Sequence, residues 1–176
     1  IPEAIGAVEI WQRRGQSTLA KLYGGIPVHR GEFDRQAISR ALAALRSGRP
    51  LIIAPEGGRS RTPGMRRGKP GVAYFMDQAQ VPVLPVGLVG TTSDYFQRAL
   101  RFERPPIEMH IGKPLRLPAI EGRGEERRRA RQRYVDTIML EIAALLPEAY
   151  RGVYADPSVV DRPPEGDPSQ DLFSQP

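Results

Sequence analysis

LIIAPEGGRSR, residues 51–61, begins as a core strand and ends as something else. Leu51 to Ala54 form a short apolar run of the kind that fills a buried strand, and Pro55 stops it. Glu56, two glycines and two arginines follow at once. In open α/β sheets, ligands bind in the loops beyond the carboxyl ends of strands. Gly57 and Gly58 can adopt positive φ and bring backbone N–H groups close to a ligand, and the guanidinium forks of Arg59 and Arg61 suit phosphate. The stretch therefore reads as a phosphate clamp at a strand end. A carboxylate repels phosphate, so Glu56 makes sense as a group that fixes an arginine or meets a substrate hydroxyl.

Outward from this loop, elements alternate. Residues 70–80, PGVAYFMDQAQ, predict a helix with Val72, Phe75, Met76 and Ala79 inward, and residues 81–89, VPVLPVGLV, predict a second apolar strand. Upstream, residues 24–31 read as a short strand leaving a glycine turn. Asp34 then caps a helix whose inner face is Ile38, Ala41, Leu42 and Leu45 and which stops at Gly48. Residues 1–23 place Ile5, Val8, Trp11, Leu19 and Leu22 at loosely helical spacing and predict two short helical pieces. Residues 107–111, IEMHI, alternate as an edge strand does, and residues 125–146 predict a long helix packed through Tyr134, Val135, Ile138, Ile142 and Leu145. The fold class is α/β, with a mixed, mostly parallel sheet flanked by helices. Residues 1–155 make one domain, and residues 156–176, acidic and proline-rich, predict a disordered tail.

The 176 residues suffice for one core without staples, and the absence of cysteine excludes disulfides, thiolate metal sites and a cysteine nucleophile. The formal charge is +6; the segment from Asp156 holds five acids against Arg162, so the body carries +10. Such a body suits an anionic partner: nucleic acid, a phospholipid surface or a phosphorylated small molecule. No apolar run approaches the ~18 residues of a spanning helix. The chain starts at Ile1 inside an apolar segment, from which an upstream portion is expected. Two basic clusters stand out. Arg59, Arg61, Arg66, Arg67 and Lys69 crowd the loop, where anionic headgroups are the expected contact, while Arg127, Arg128, Arg129, Arg131 and Arg133 read as a solvated helix face.

APEGGRSR, residues 54–61, resembles the FPEGTRSR motif of the glycerolipid acyltransferases, especially the bacterial lysophosphatidic acid acyltransferases. GGIPVHR, residues 24–30, is similar to that family's glycine-to-arginine motif, and VPVLPVGL, residues 81–88, to its proline motif. All three stand in the family's order, and the resemblance runs from about residue 7 to about residue 154. It implies a glycerol-3-phosphate acyltransferase-like fold and transfer of an acyl chain from acyl-CoA or acyl carrier protein to lysophosphatidic acid, making phosphatidic acid. Arg30 and Arg59 would hold the acceptor phosphate, with Glu56 and Gly57 completing the pocket. Pro85 would shape the acyl-donor side, and Lys69 would face the donor or the acceptor phosphate, a solvated lysine being the alternative. No metal or redox cofactor is implied. The expected place of work is the cytoplasmic side of the cell membrane, held peripherally or by upstream residues. Gly58 departs from the family's threonine and removes a hydroxyl from the loop.

The family's catalytic base lies in an HxxxxD motif upstream of the glycine-to-arginine motif. HRGEFD, residues 29–34, matches that expression literally, but His29 fills the slot before the motif arginine, where the family often has aspartate, and Asp34 has the position of a helix cap. The pair is read as a decoy, the true motif is expected before Ile1, and the chain alone is expected to be inactive. His110 offers no dyad. Two other functions compete: a catalytically inactive, acyltransferase-like lipid-binding protein, and a basic nucleic-acid-binding module. The latter is not expected, because no recognition helix, zinc spacing or interleaved aromatics accompany the charge.

Overall fold

The computed structural model describes residues 2–7, 22, 25–28, 34–58, 64–91 and 94–161. Three strands form a parallel sheet in the order β2-β1-β3: β1 is Glu3–Ala7, β2 is Ile26–Val28 and β3 is Leu51–Ile52. The first of these corrects the helical reading at residues 3–7. EAIGA is paired on both sides, Ile5 opposite Ile26 and Ala4 opposite Ile52, and such long-range pairing overrides a weak helical spacing. Glu3 is buried, and its carboxylate is held by Arg49 as the chain enters β3. Leu22 is 76% exposed, and Val8, Trp11 and Leu19 lie outside the described residues.

Helix α1, Arg35–Arg46, starts where expected, with Asp34 Oδ1 accepting the Ala37 N–H at 2.9 Å. It ends in a Schellman pattern at Gly48, φ 76°: Gly48 donates to the Leu45 carbonyl and Arg49 to that of Ala44. Strand β3 is shorter than LIIA. Leu51 and Ile53 turn toward the core while Ile52 stays 58% exposed, so this strand is covered on one face only. Helix α2, Gly71–Ala79, joins two cores. Phe75 packs with Ile26, Ala37 and Ala41 near the parallel sheet, and Ala73 packs with Val135, Met139, Ala143, Tyr154 and Val159.

The run 81–89 splits. Val83 bridges Leu115, and only β4, Val86–Val89, is a strand proper. It pairs antiparallel with β5, Glu108–Ile111, in a separate two-stranded sheet. The edge-strand reading of IEMHI holds, although all of its side chains are exposed, the apolar Ile107, Met109 and Ile111 included. Between these strands lies α3, Tyr95–Leu100. Helix α4, Gly124–Ala144, buries Val135 and Ile138 as expected, together with Met139 and two polar residues, Gln132 and Asp136. Three 3-10 turns follow: Glu148–Tyr150, Gly152–Ala155 and Pro157–Asp161. The last moves the expected domain boundary, because Val159 is buried in the α4 core and residues 156–161 belong to the fold. Residues 162–176 lie outside the described residues.

Candidate functional site

The site grows from the end of β3. After Ala54 the chain turns tightly, and the Gly57 N–H returns to the Ala54 carbonyl at 3.0 Å with Gly57 at φ 68°. A side chain is disfavoured there on two counts. The backbone lies in the left-handed region, and a Cβ would come within 2.9 Å of Lys69 Cδ. Lys69 thus lays its aliphatic stem across Gly57, while its own N–H donates to the Pro55 carbonyl at 2.8 Å. Two residues twelve apart in sequence become one surface.

Glu56 does fix an arginine. Its Oε2 accepts from the Arg66 backbone N–H at 3.2 Å and from Arg66 Nε at 3.4 Å. Paired in this way, the Glu56 carboxylate has part of its charge offset by the Arg66 guanidinium. The predicted phosphate ligands Arg30 and Arg59, with Arg61 and His29, lie outside the described residues. The structure therefore brings together Glu56, Gly57 and Lys69, adds Arg66, and shows the cap formed by Asp34.

The neighbouring Arg67 has a different fate from the one expected for the basic loop. Its Nη2 donates to Asp136 Oδ2 at 2.9 Å and to the Val159 carbonyl at 3.0 Å. Asp136 is fully buried and also accepts from Tyr154 Oη at 2.7 Å and Gln132 Nε2 at 3.1 Å. The Tyr154 hydroxyl in turn accepts the Gly68 N–H at 2.9 Å. Burial first, and then the hydrogen bond to Asp136, push the Tyr154 phenol well above its ordinary range, so it stays a neutral donor. Gly68 has no room for a side chain, since a Cβ would overlap Val135 Cγ1 and lie 2.8 Å from Met139 Cγ.

Pro85 is fully buried, and its carbonyl accepts the Gly112 N–H at 3.0 Å. Its ring is part of the packing between β4 and the chain leaving β5. The basic start of α4 also differs from a uniformly solvated face. Arg127 donates to Asp77 Oδ2 at 2.6 Å, Arg131 lies 3.9 Å from the same oxygen and 5.2 Å above the Tyr74 ring, and Asp77 Oδ1 accepts the Ile120 N–H at 3.0 Å. Burial, then repulsion from Arg127, lower the pKa of Arg131, and Asp77 opposes both. Arg129, paired with Glu125 at 3.1 Å on the surface, keeps the expected solvated character. The signal for both networks was in the sequence: Asp77 and Asp136 each sit on the apolar face of a helix, where a carboxylate requires a cation or donors.

With this geometry in hand, comparison with known proteins places the chain. Residues 3–89 match the family model described as Acyltransferase. The chain's fold is similar to that of the 1-acyl-sn-glycerophosphate (LPA) acyltransferase PlsC from Thermotoga maritima, with a TM-score of 0.54 at 19% identity. That match covers 82% of this chain and 55% of the solved one, so the chain spans little more than half the length of that relative.

Proposed function

We propose that this chain carries the acceptor-binding part of an enzyme that moves an acyl chain from acyl-CoA or acyl carrier protein to lysophosphatidic acid, giving phosphatidic acid. The observation that carries the reading is the loop after β3, where Glu56 engages Arg66 and Lys69 folds over Gly57 inside the segment that matches the acyltransferase family. In this reading Arg30 and Arg59 clamp the acceptor phosphate, and Glu56 and Gly57 shape the loop around it. The acceptor hydroxyl oxygen attacks the thioester carbonyl carbon, its proton passes to the base of an upstream HxxxxD motif, and the carbon–sulfur bond breaks to release the thiol. His29 and Asp34 take no part, and Asp34 is already engaged in capping α1.

The basic body favours a peripheral position on the anionic cytoplasmic face of the cell membrane, where a lysophospholipid acceptor would be met. No helix among the described residues is long and apolar enough to cross a membrane. The test is kinetic, in the protein at its native length. Arg30→Ala and Arg59→Ala should each raise the acceptor KM or lower kcat/KM by about 10-fold or more, the size of a lost charge-assisted contact, with lysine restoring only part. Unchanged kinetics in both alanine variants would remove the clamp. Acceptor binding without turnover at native length would leave the inactive lipid-binding alternative.

A further inference from the structure

We propose that the C-terminal segment Glu148–Asp161 is a strap that sets the position of the acceptor loop, with Tyr154 and Arg67 as its positioning residues. This rests on the reading of residues 56–69 as acceptor-binding, and it adds a part of the chain that none of the sequence motifs includes.

Between Gly64 and Lys69, the residues Met65, Arg67 and Gly68 are each tied to the same distant segment. Met65 donates its N–H to the Tyr150 carbonyl at 2.9 Å and accepts from the Val153 N–H at 3.1 Å. Arg67 donates to the Val159 carbonyl at 3.0 Å, and Gly68 donates to the Tyr154 hydroxyl at 2.9 Å. Gly64 and Gly152, both at positive φ, let the two backbones touch, and a Cβ on Gly152 would overlap the Met65 carbonyl. The side chains of Met65, Tyr154 and Val159 are all buried in one core.

The residues not used in these ties are the ones that face the strand-end turn. Arg66 reaches Glu56, and Lys69 covers Gly57. Division of labour along five residues follows: 65, 67 and 68 hold the strap, while 66 and 69 present charge to the turn. Because the strap also engages α4 through Asp136, any shift of Tyr154 moves the Gly68 amide, and with it the cation one residue on. A binding loop held by a buried scaffold loses less conformational freedom when ligand arrives.

The measurement compares kinetics and amide hydrogen exchange in the native-length protein, with lysophosphatidic acid and an acyl-CoA as probes. Tyr154→Phe keeps the ring and removes the hydroxyl that joins Gly68 to Asp136. It should raise the acceptor KM by about 3- to 10-fold, as expected for one buried hydrogen bond. Donor KM and kcat should stay within about twofold, while exchange in residues 65–69 accelerates. Arg67→Lys, which keeps the charge and gives up the forked contact, should act in the same direction and serves if the tyrosine variant folds poorly. Faster exchange with an unchanged acceptor KM, alongside a sensitive Arg59→Ala, would overturn the strap and leave the acceptor reading standing. An insensitive Arg59→Ala would bring down the acceptor reading itself.

Discussion

Arg66 and Arg67 are neighbours in a run of basic residues, and the fold separates them. Arg66 keeps about half of its side chain in solvent and meets Glu56, itself partly exposed, at 3.4 Å. Arg67 is 19% exposed and meets an Asp136 that has no exposed surface at all, at 2.9 Å, with a carbonyl and a tyrosine hydroxyl completing the set. A surface pair of the first kind contributes ~0–1 kcal/mol, whereas breaking a buried pair costs ~3–5 kcal/mol because the remaining charge is stranded. The lesson concerns availability. An arginine whose carboxylate partner is buried is committed to the architecture, and one whose partner sits at the surface can exchange it for phosphate.

The sharpest way to break this comparison is to remove each carboxylate. Asp136→Ala should cost ~3–5 kcal/mol, read from the urea midpoint, and Glu56→Ala less than ~1 kcal/mol. Equal losses would mean that the two pairs are alike. A smaller effect comes from the two glycines beside these arginines. Gly68→Ala has to displace Val135 and Met139 and should destabilise by ~1–3 kcal/mol. Gly57→Ala meets the movable stem of Lys69 and the strain of φ 68°, so it should cost ~1–2 kcal/mol and raise acceptor KM as well.

The smallest effect expected is one of pH. The Tyr154 phenol is raised in the folded state above its ordinary value of 10.0, so the stability it contributes is complete below that value. As pH climbs through 10.0 toward the folded-state value, the unfolded chain ionises first and that stability is lost. The native protein should therefore weaken faster than Tyr154→Phe above about pH 10, by up to ~1.4 kcal/mol per pH unit. Parallel curves would show that the phenol is not held neutral.

Much of the fold was legible because it rests on local chemistry. Asp34, the apolar face of α1 and Gly48 specify one helix from cap to stop, and PEGG after a short apolar run specifies a strand-end turn whatever surrounds it. The motifs in their order pointed to the acyltransferase family, and residues 3–89 match it. Where local signals were weak, tertiary structure decided. EAIGA became the central strand of a parallel sheet because two partners offered their edges, a circumstance its own five residues cannot encode. PSVVD joined the core although its surroundings are acidic and rich in proline, because α4 left a place for Val159. The same holds for Arg67. Its residue type and its place in a basic run are shared with Arg66, and only the burial of a carboxylate 69 positions away turned one guanidinium into scaffold and left the other at the site, since the strength of a charge pair depends on the dielectric that the whole fold creates around it.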